Sequence, residues 1–216
     1  MANLFRMDSA PVRVLNRVAD LVLLNLIFLI TCLPVFTIGA SVTALYTVVL
    51  RMVRKEEGAL AGGYFRAWRA GFRQATALWG VELGMWAVLW LVRRACVRLP
   101  GPGQAAALLV LALLSLVAGT STLFVFPILA RFQGSVRQIL ANSLLIPLSG
   151  LPSALAAAAI VVGPVLLAAL SPRFFLVWFY LLALGGLALT AYGSAFFLNR
   201  LFAPFETPDL PKEESV

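Results

Sequence analysis

Residues Asn25–Gly58 read NLIFLITCLPVFTIGASVTALYTVVLRMVRKEEG. They belong to a run that carries no charged residue from Leu21 to Leu50 and then gives way to the basic segment Arg51–Lys55. An apolar run of this length exceeds a soluble strand or core helix, so it predicts a segment that lies in a lipid bilayer. Pro34 stands near the middle of the run. Because an interior proline removes a helical hydrogen bond, we do not expect one straight helix here.

The whole chain has the composition of a membrane protein. Of its 216 residues, 62% are hydrophobic and 12% are charged, whereas about a quarter of residues are charged in soluble domains. Further apolar runs, each long enough for a hydrocarbon core that takes ~20 residues, cover residues 105–130, 138–172 and 174–199, and another, 75–92, is interrupted only by Glu82. None alternates apolar with polar residues as a β-barrel strand does.

We therefore predict an all-α fold, a polytopic helical membrane bundle. One membrane domain covers residues 1–203. The remaining residues, 204–216, are Pro-rich and acidic, and this composition predicts a disordered tail.

Charge and rare residue types argue against several functional classes. The net charge is +8, but the lysines and arginines lie in short loops between apolar runs. This is the positive-inside pattern of membrane proteins and does not predict nucleic-acid binding. The chain has two cysteines and no histidine, so we expect neither a metal site nor a cofactor. It also lacks a Gly-Lys-Ser/Thr phosphate loop and a Gly-x-Ser-x-Gly nucleophile motif, so we expect no enzyme.

Two topologies compete for the first apolar run. It is either one kinked span, which gives five spans in all, or a hairpin, which gives six. The hairpin consists of a helix at about Val18–Leu33, a turn at Pro34–Gly39 and a return helix at about Ala40–Val53. We interpret Pro34 and Gly39 as turn or hinge residues.

The distribution of basic residues favours about six spans over five. Six spans with cytoplasmic N- and C-termini place 13 of the 17 lysines and arginines inside, whereas five spans divide them 7 to 10. We therefore predict a multi-pass membrane protein with both ends in the cytoplasm. The six-span topology places three arginines on the outer side, Arg93, Arg94 and Arg98, which the positive-inside rule disfavours. Their aliphatic stems can nevertheless extend to the far interface.

Two basic segments resemble each other and precede apolar runs. Residues 71–75 read GFRQA and residues 135–139 read SVRQI. Both place Arg-Gln about one turn before the run, next to aromatic residues. We predict amphipathic lead-in helices on the cytoplasmic face at both positions.

Glu82 is the only acidic residue deep in an apolar run. A carboxylate inside a membrane is costly and is therefore a candidate for a functional site. Trp79, Trp86 and Trp90 share its helix face at spacings of three, four and eight residues. Such a group can bind a sugar or a cation. In the alternative interpretation, Glu82 pairs with polar groups of neighbouring helices, such as Asn25, Thr43 or Thr47, and the tryptophans pack or anchor at an interface.

Gly80 and Gly84 form the Gly-x-x-x-Gly spacing that allows membrane helices to approach closely. We interpret this spacing mainly as packing within the chain. It permits a homo-oligomer without specifying one.

The loop and lead-in between the second and third spans form the most basic part of the chain. We predict that it is a surface for a partner or for lipid headgroups; a solvated loop with no binding role is the alternative. The cations of this surface are Arg51, Arg54, Lys55, Arg66, Arg69 and Arg73.

The segment LPVFTIGASVTALYTVVLRMVRKEEG, followed by YFRAWRAGFRQATALWG, resembles the YesL-like family of bacterial integral membrane proteins. That family has a Leu-Pro-φ-φ-Thr-φ-Gly turn, an Ala-Leu-Tyr element, a basic Arg-x-Glu-Glu/Asp-Gly loop, an aromatic pair and an Arg/Lys-Gln-Ala lead-in. The matching positions here are Leu33–Gly39, Ala44–Tyr46, Arg54–Gly58, Phe65–Trp68 and Phe72–Ala75. The resemblance covers about the first 90 residues.

The function of that family is unknown, so the resemblance transfers no site residue. It implies a location in the plasma membrane of a bacterium and a genetic context of carbohydrate uptake and plant-polysaccharide breakdown, commonly in Gram-positive bacteria. Our leading hypothesis is a non-enzymatic accessory protein of carbohydrate uptake that contacts membrane lipids and a sugar-transporter complex. The alternatives are a small secondary carrier with its site at Glu82 and a structural membrane scaffold.

Overall fold

The computed structural model describes residues 10–56, 58–98, 102–170, 180 and 182–205. Most of these residues are helical, and none of them lies in a β-strand. The α-helices are α1 (Ala10–Thr31), α2 (Ile38–Val53), α3 (Leu60–Cys96), α4 (Pro102–Arg131), α5 (Val136–Ser149), α6 (Leu151–Leu170) and α7 (Leu187–Phe202). Short 3₁₀ helices cover Val35–Thr37 and Ala203–Phe205, and a π-helical turn covers Leu182–Gly186. The predicted all-helical class is confirmed.

Helices α1 and α2 form a hairpin. The chain leaves helical geometry at residues 32–34, where Pro34 is extended (φ −77°, ψ 124°) before the 3₁₀ turn. Near the open end of the hairpin, the Arg17 guanidinium donates to the Met52 carbonyl at 2.9 Å. This contact joins residues 35 positions apart, so the first apolar run folds back on itself and is not one kinked rod.

The hairpin turn is held by hydroxyl groups. The Thr37 hydroxyl donates to the carbonyls of Thr31 and Pro34, both at 2.6 Å. The Ser41 hydroxyl also donates to the Thr31 carbonyl, at 3.0 Å. From α3, the Trp79 indole donates to the Val35 carbonyl at 2.9 Å. These bonds satisfy carbonyls that the end of α1 leaves without helical partners, so this segment is a pinned turn.

Helix α2 occupies the centre of the bundle. It packs against α3, α4 and α7, and eleven of its 16 residues are buried. A largely apolar helix is typical of such a buried position. Its hydroxyls also have partners, since Tyr46 lies 3.3 Å from the Ser194 hydroxyl of α7.

Gly39 lies at the closest approach of α2 and α3. A Cβ atom at this position would lie 2.6 Å from the Ala75 carbonyl oxygen, 2.8 Å from the Trp79 Cβ and 3.0 Å from a ring carbon of Phe126. The prediction that Gly39 is a turn or hinge residue is therefore wrong. It is the second residue of α2, and its missing side chain allows two helix backbones to touch.

Helix α3 runs without a break for 37 residues, or about 55 Å at about 1.5 Å per residue. The predicted lead-in at residues 71–75 is thus part of the same helix as the apolar run. The second lead-in also joins its helix directly, because Ser135 and Gln138 form a reciprocal capping box at the start of α5. We correct the prediction of separate lead-in helices accordingly.

The apolar run at residues 138–172 is not one straight span. Helices α5 and α6 meet at Gly150 at an angle of 110°. A Cβ atom on Gly150 would overlap the end of the Leu201 side chain, so α7 packs closely against this bend.

The start of α7 uses a side chain from α1. Gly186 precedes the helix and has no side-chain cap, while the fully buried Asn25 accepts from the Ala188 N–H at 3.2 Å. Asn25 therefore satisfies one of the free N–H groups that every helix start exposes. The preceding kink is at Gly185 (φ 150°), a conformation that other residues rarely adopt.

Several helices suit a membrane. Among the described residues, three helical segments are long and apolar enough to cross one, namely Val35–Val53, Leu60–Cys96 and Gly103–Arg131, or four if the bent α5–α6 pair counts as one span. Six spans and cytoplasmic termini stay predictions. The beginning of the predicted last span, residues 174–179, and most of the predicted tail, residues 206–216, lie outside the described residues.

Candidate functional site

Glu82 is fully buried in a cluster of hydroxyl groups. One carboxylate oxygen accepts from the Ser121 hydroxyl and the other from the Thr122 hydroxyl, each at 2.7 Å. The Ser121 oxygen also lies 3.1 Å from the Ser143 hydroxyl. The cluster thus links α3 to α4 and, through Ser143, reaches α5, and both carboxylate oxygens accept short hydrogen bonds from α4.

Glu82 pairs with polar groups of a neighbouring helix, as the alternative interpretation predicts, but its hydrogen bonds are not with the examples named there. Thr43 and Thr47 donate to backbone carbonyls of α2 itself, at Gly39 and Thr43, and Asn25 binds the start of α7. The direct partners of Glu82, Ser121 and Thr122, both lie on α4. The hydroxyl-rich GTST stretch at residues 119–122 is the signal for them in the sequence. Only the packing of the helices determines that these hydroxyl groups, and not those of other threonines, contact Glu82.

The three tryptophans near Glu82 do not gather around it. Trp79 binds the Val35 carbonyl in the hairpin turn. Trp86 donates to the Thr122 hydroxyl at 3.0 Å, so it touches the Glu82 cluster from outside. Trp90 is 53% exposed and lies under the Arg94 guanidinium, 4.5 Å from its ring centre. The tryptophans therefore occupy three separate environments along α3.

Gly80 and Gly84 do not pack within the chain. Both residues are exposed, and a Cβ atom on either would meet no atom within 4 Å. The interpretation of this pair as intrachain packing is wrong, because the face of α3 that carries it points away from the other helices.

The loop after α2 begins with an ordered reversal. The N–H groups of Lys55 and Glu56 donate to the carbonyls of Met52 and Arg51, and Lys55 adopts φ 58°, as in the left-handed position that ends many helices. This reversal brings Glu56 close to the arginines of α2. Its carboxylate lies 2.9 Å from Arg54 and 3.9 Å from Arg51.

The predicted cationic surface lies at one end of α2 and α3, which we name the arginine-rich end. Arg51 is 52% exposed in its side chain, whereas Arg54 is only 20% exposed. An aromatic side chain is exposed at the same end, since Phe65 is 43% exposed. The exposed cations of this end are Arg51, Lys55, Arg66, Arg69 and Arg73.

A cavity of about 660 Å³ opens between the arginine-rich end and the α4–α5 junction. Arg51 of α2, Arg66 of α3 and Arg131 at the end of α4 line it. Sequence reasoning did not place Arg131 with the other two arginines. The resemblance between residues 71–75 and 135–139 was the available signal, because Gln74 of the first segment donates to the Gly134 carbonyl beside the second.

The family comparison concerns this same part of the chain. Residues 21–92 match the protein family of unknown function DUF624. The match covers most of the hairpin, the arginine-rich end and Glu82. No curated protein and no solved structure matches the chain. The match assigns neither a ligand nor a partner, and it does not name the YesL-like family, so that finer resemblance stays a prediction.

Proposed function

We propose that this chain is a non-enzymatic integral membrane protein that assists carbohydrate uptake by contacting a transporter through its arginine-rich end. The supporting observation is the exposure of five cations beside the aromatic ring of Phe65 at that end. Arginine and aromatic residues are enriched at protein interfaces. The link to carbohydrates comes from the family resemblance of residues 33–75, and the cytoplasmic location of this end follows from the positive-inside rule.

The alternative, a carrier with its site at Glu82, has less support. Both oxygens of the carboxylate are engaged by Ser121 and Thr122, and the 660 Å³ cavity is lined by other residues. A substrate at Glu82 would have to displace these hydrogen bonds, at a cost of about 1–3 kcal/mol for each group left unpaired. A scaffold role without a defined partner is the remaining alternative.

Photo-crosslinking in native membranes tests the accessory role. A benzophenone amino acid replaces Arg69 in the exposed cationic surface, and in a matched control it replaces Leu113, which is 57% exposed on the apolar face of α4. We expect a sugar-transporter subunit among the adducts at position 69 and not among those at position 113. Identical adduct patterns at both positions would contradict the proposal.

Reconstitution separates the accessory role from the carrier. The purified protein is placed in liposomes, and sugar counterflow is measured with and without Glu82→Gln. We expect no sugar flux in either case. Flux by the purified protein alone that disappears in Glu82→Gln would establish the carrier and overturn the accessory proposal.

A further inference from the structure

The 660 Å³ cavity at the arginine-rich end has the lining of an anion site. Among the described residues, the charged ones in its lining are Arg51, Arg66 and Arg131, and none of them is a carboxylate. These arginines come from three different helices, so only the folded bundle brings them together. A planar guanidinium group can donate two parallel hydrogen bonds to a phosphate group. Clusters of arginine residues are therefore common in phosphate-binding sites.

The walls of the cavity are held in place without a ligand. Gln74 of α3 donates to the Gly134 carbonyl in the α4–α5 junction. In the same junction, the ring of Phe132 packs edge-to-face on Phe202 of α7, with 5.4 Å between ring centres. Such contacts reduce the ordering that a ligand would otherwise have to bring about.

The lining also offers groups for a hydroxyl-bearing ligand. Thr43, Thr47 and Arg51 follow one another at intervals of four residues on α2, so they form a stripe that leads from the buried interior to the exposed rim. The two threonine hydroxyls donate to their own helix at 2.8 Å. Their oxygens therefore keep acceptor capacity for the hydroxyl groups of a ligand, and the exposed amide of Gln133 lines the same cavity.

Small residues on α3 leave room for the cavity. Gly63, Ala67, Ala70 and Gly71 line the cavity on the α3 side. The resulting volume falls within the roughly 300–1,000 Å³ typical of small-molecule sites. We propose that this cavity binds a phosphate ester with a hydroxyl-bearing body, either the headgroup of phosphatidylglycerol or a small soluble ester such as glycerol 3-phosphate. This inference does not depend on the proposed role in carbohydrate uptake.

Two probes distinguish the sources of the phosphate. The full-length protein in phosphatidylcholine nanodiscs is titrated with glycerol 3-phosphate by calorimetry, with glycerol as the uncharged control. In parallel, native mass spectrometry measures retention of phosphatidylglycerol against phosphatidylcholine from mixed micelles. Retention of phosphatidylglycerol alone identifies the lipid headgroup as the ligand, whereas binding of glycerol 3-phosphate identifies a soluble ester.

Charge-matched variants locate the binding. Arg66→Gln and Arg51→Gln each remove one cation from the lining, and Arg73→Gln removes one from the same helix as Arg66 without touching the lining. We expect the first two to weaken binding of the preferred probe at least about tenfold and Arg73→Gln to change it less than about twofold, since exposed charges act weakly over distance in salt. All three positions are exposed, so we expect the variants to fold.

A fourth variant tests the site in the opposite direction. Glu56 lies 3.9 Å from the Arg51 guanidinium, where its charge competes with a bound anion. We expect Glu56→Gln to tighten binding of the preferred probe. Failure of both probes to bind, or a loss in Arg73→Gln equal to that in Arg66→Gln, would overturn the proposal.

Discussion

At the scale of single residues, the most distinctive feature is a buried carboxylate with hydroxyl partners. Glu82 receives two hydrogen bonds of 2.7 Å from α4, and Ser143 of α5 extends the cluster. Between membrane helices there is little hydrophobic driving force, so packing and interhelical hydrogen bonds hold the bundle together. The position of Glu82 therefore fits a role in joining α3, α4 and α5.

Removal of the Glu82 side chain should loosen the bundle. We expect Glu82→Ala to lower the free energy of unfolding by about 2 kcal/mol, because the Ser121 hydroxyl loses its carboxylate acceptor and the Thr122 hydroxyl keeps only the Ala118 carbonyl of its own helix. Glu82→Gln should cost less, since it keeps the volume and one carbonyl oxygen and the hydroxyls can reorient. Reversible unfolding in mixed micelles measures both. The control is Ser115→Ala, whose hydroxyl donates to its own helix at Leu111 and whose loss should be small.

At the scale of elements, two glycine positions on facing helices differ in what surrounds them. Gly39 of α2 contacts the α3 backbone at Ala75 so closely that no side chain fits. Gly80 of α3 has open space where a Cβ atom would be. Sequence spacing pointed to Gly80 and Gly84 as the packing motif, but helix rotation decides which glycine faces a neighbour.

The same substitution at these two glycines should therefore have opposite effects. Gly39→Ala forces α2 and α3 apart, and we expect a loss of about 1–3 kcal/mol of unfolding free energy, as for other overpacked sites. Gly80→Ala should be neutral or slightly stabilising, because alanine is the better helix former by about 1 kcal/mol. Thermal unfolding in detergent compares the pair. Equal effects of the two changes would show that α2 and α3 do not approach closely at Gly39.

At the scale of the whole molecule, the hairpin organises the bundle. Its return helix α2 has 16 residues, or about 24 Å at about 1.5 Å per residue, which is short for a hydrocarbon core of about 30 Å. Burial among α3, α4 and α7 explains how so short a helix is accommodated, because most of its residues face protein and not lipid. The hairpin also sends the turn at Val35–Thr37 and the arginine-rich end to opposite ends of α2.

Cysteine labelling tests this arrangement across the membrane. Thr37 is a poor reporter because it is only 4% exposed, whereas Phe36 is 60% exposed. In a background without Cys32 and Cys96, we expect Phe36→Cys to react with an impermeant maleimide in intact cells. Arg69→Cys at the arginine-rich end should react only after permeabilisation. Labelling of both positions from the same side would contradict the hairpin and the positive-inside orientation.

The helical class, the approximate ends of α2 and the reversal at Pro34 follow from local features of the sequence. Apolar runs, a proline within one of them and a cluster of arginines after it are properties of neighbouring residues. Each of these features acts locally, either through helix geometry or through a preference of the side chains for lipid or for water. For that reason the predicted return helix at about Ala40–Val53 lies close to the observed Ile38–Val53.

Contacts between distant residues were decided by the tertiary structure alone. Ser121 and Thr122 were not identified as partners of Glu82, Gly39 was mistaken for a hinge, and Arg131 was not placed with Arg51 and Arg66. In each case the outcome depends on the rotation and crossing of whole helices. Several faces of an apolar helix are nearly equivalent in the sequence, and only packing against the other helices determines which of them meet.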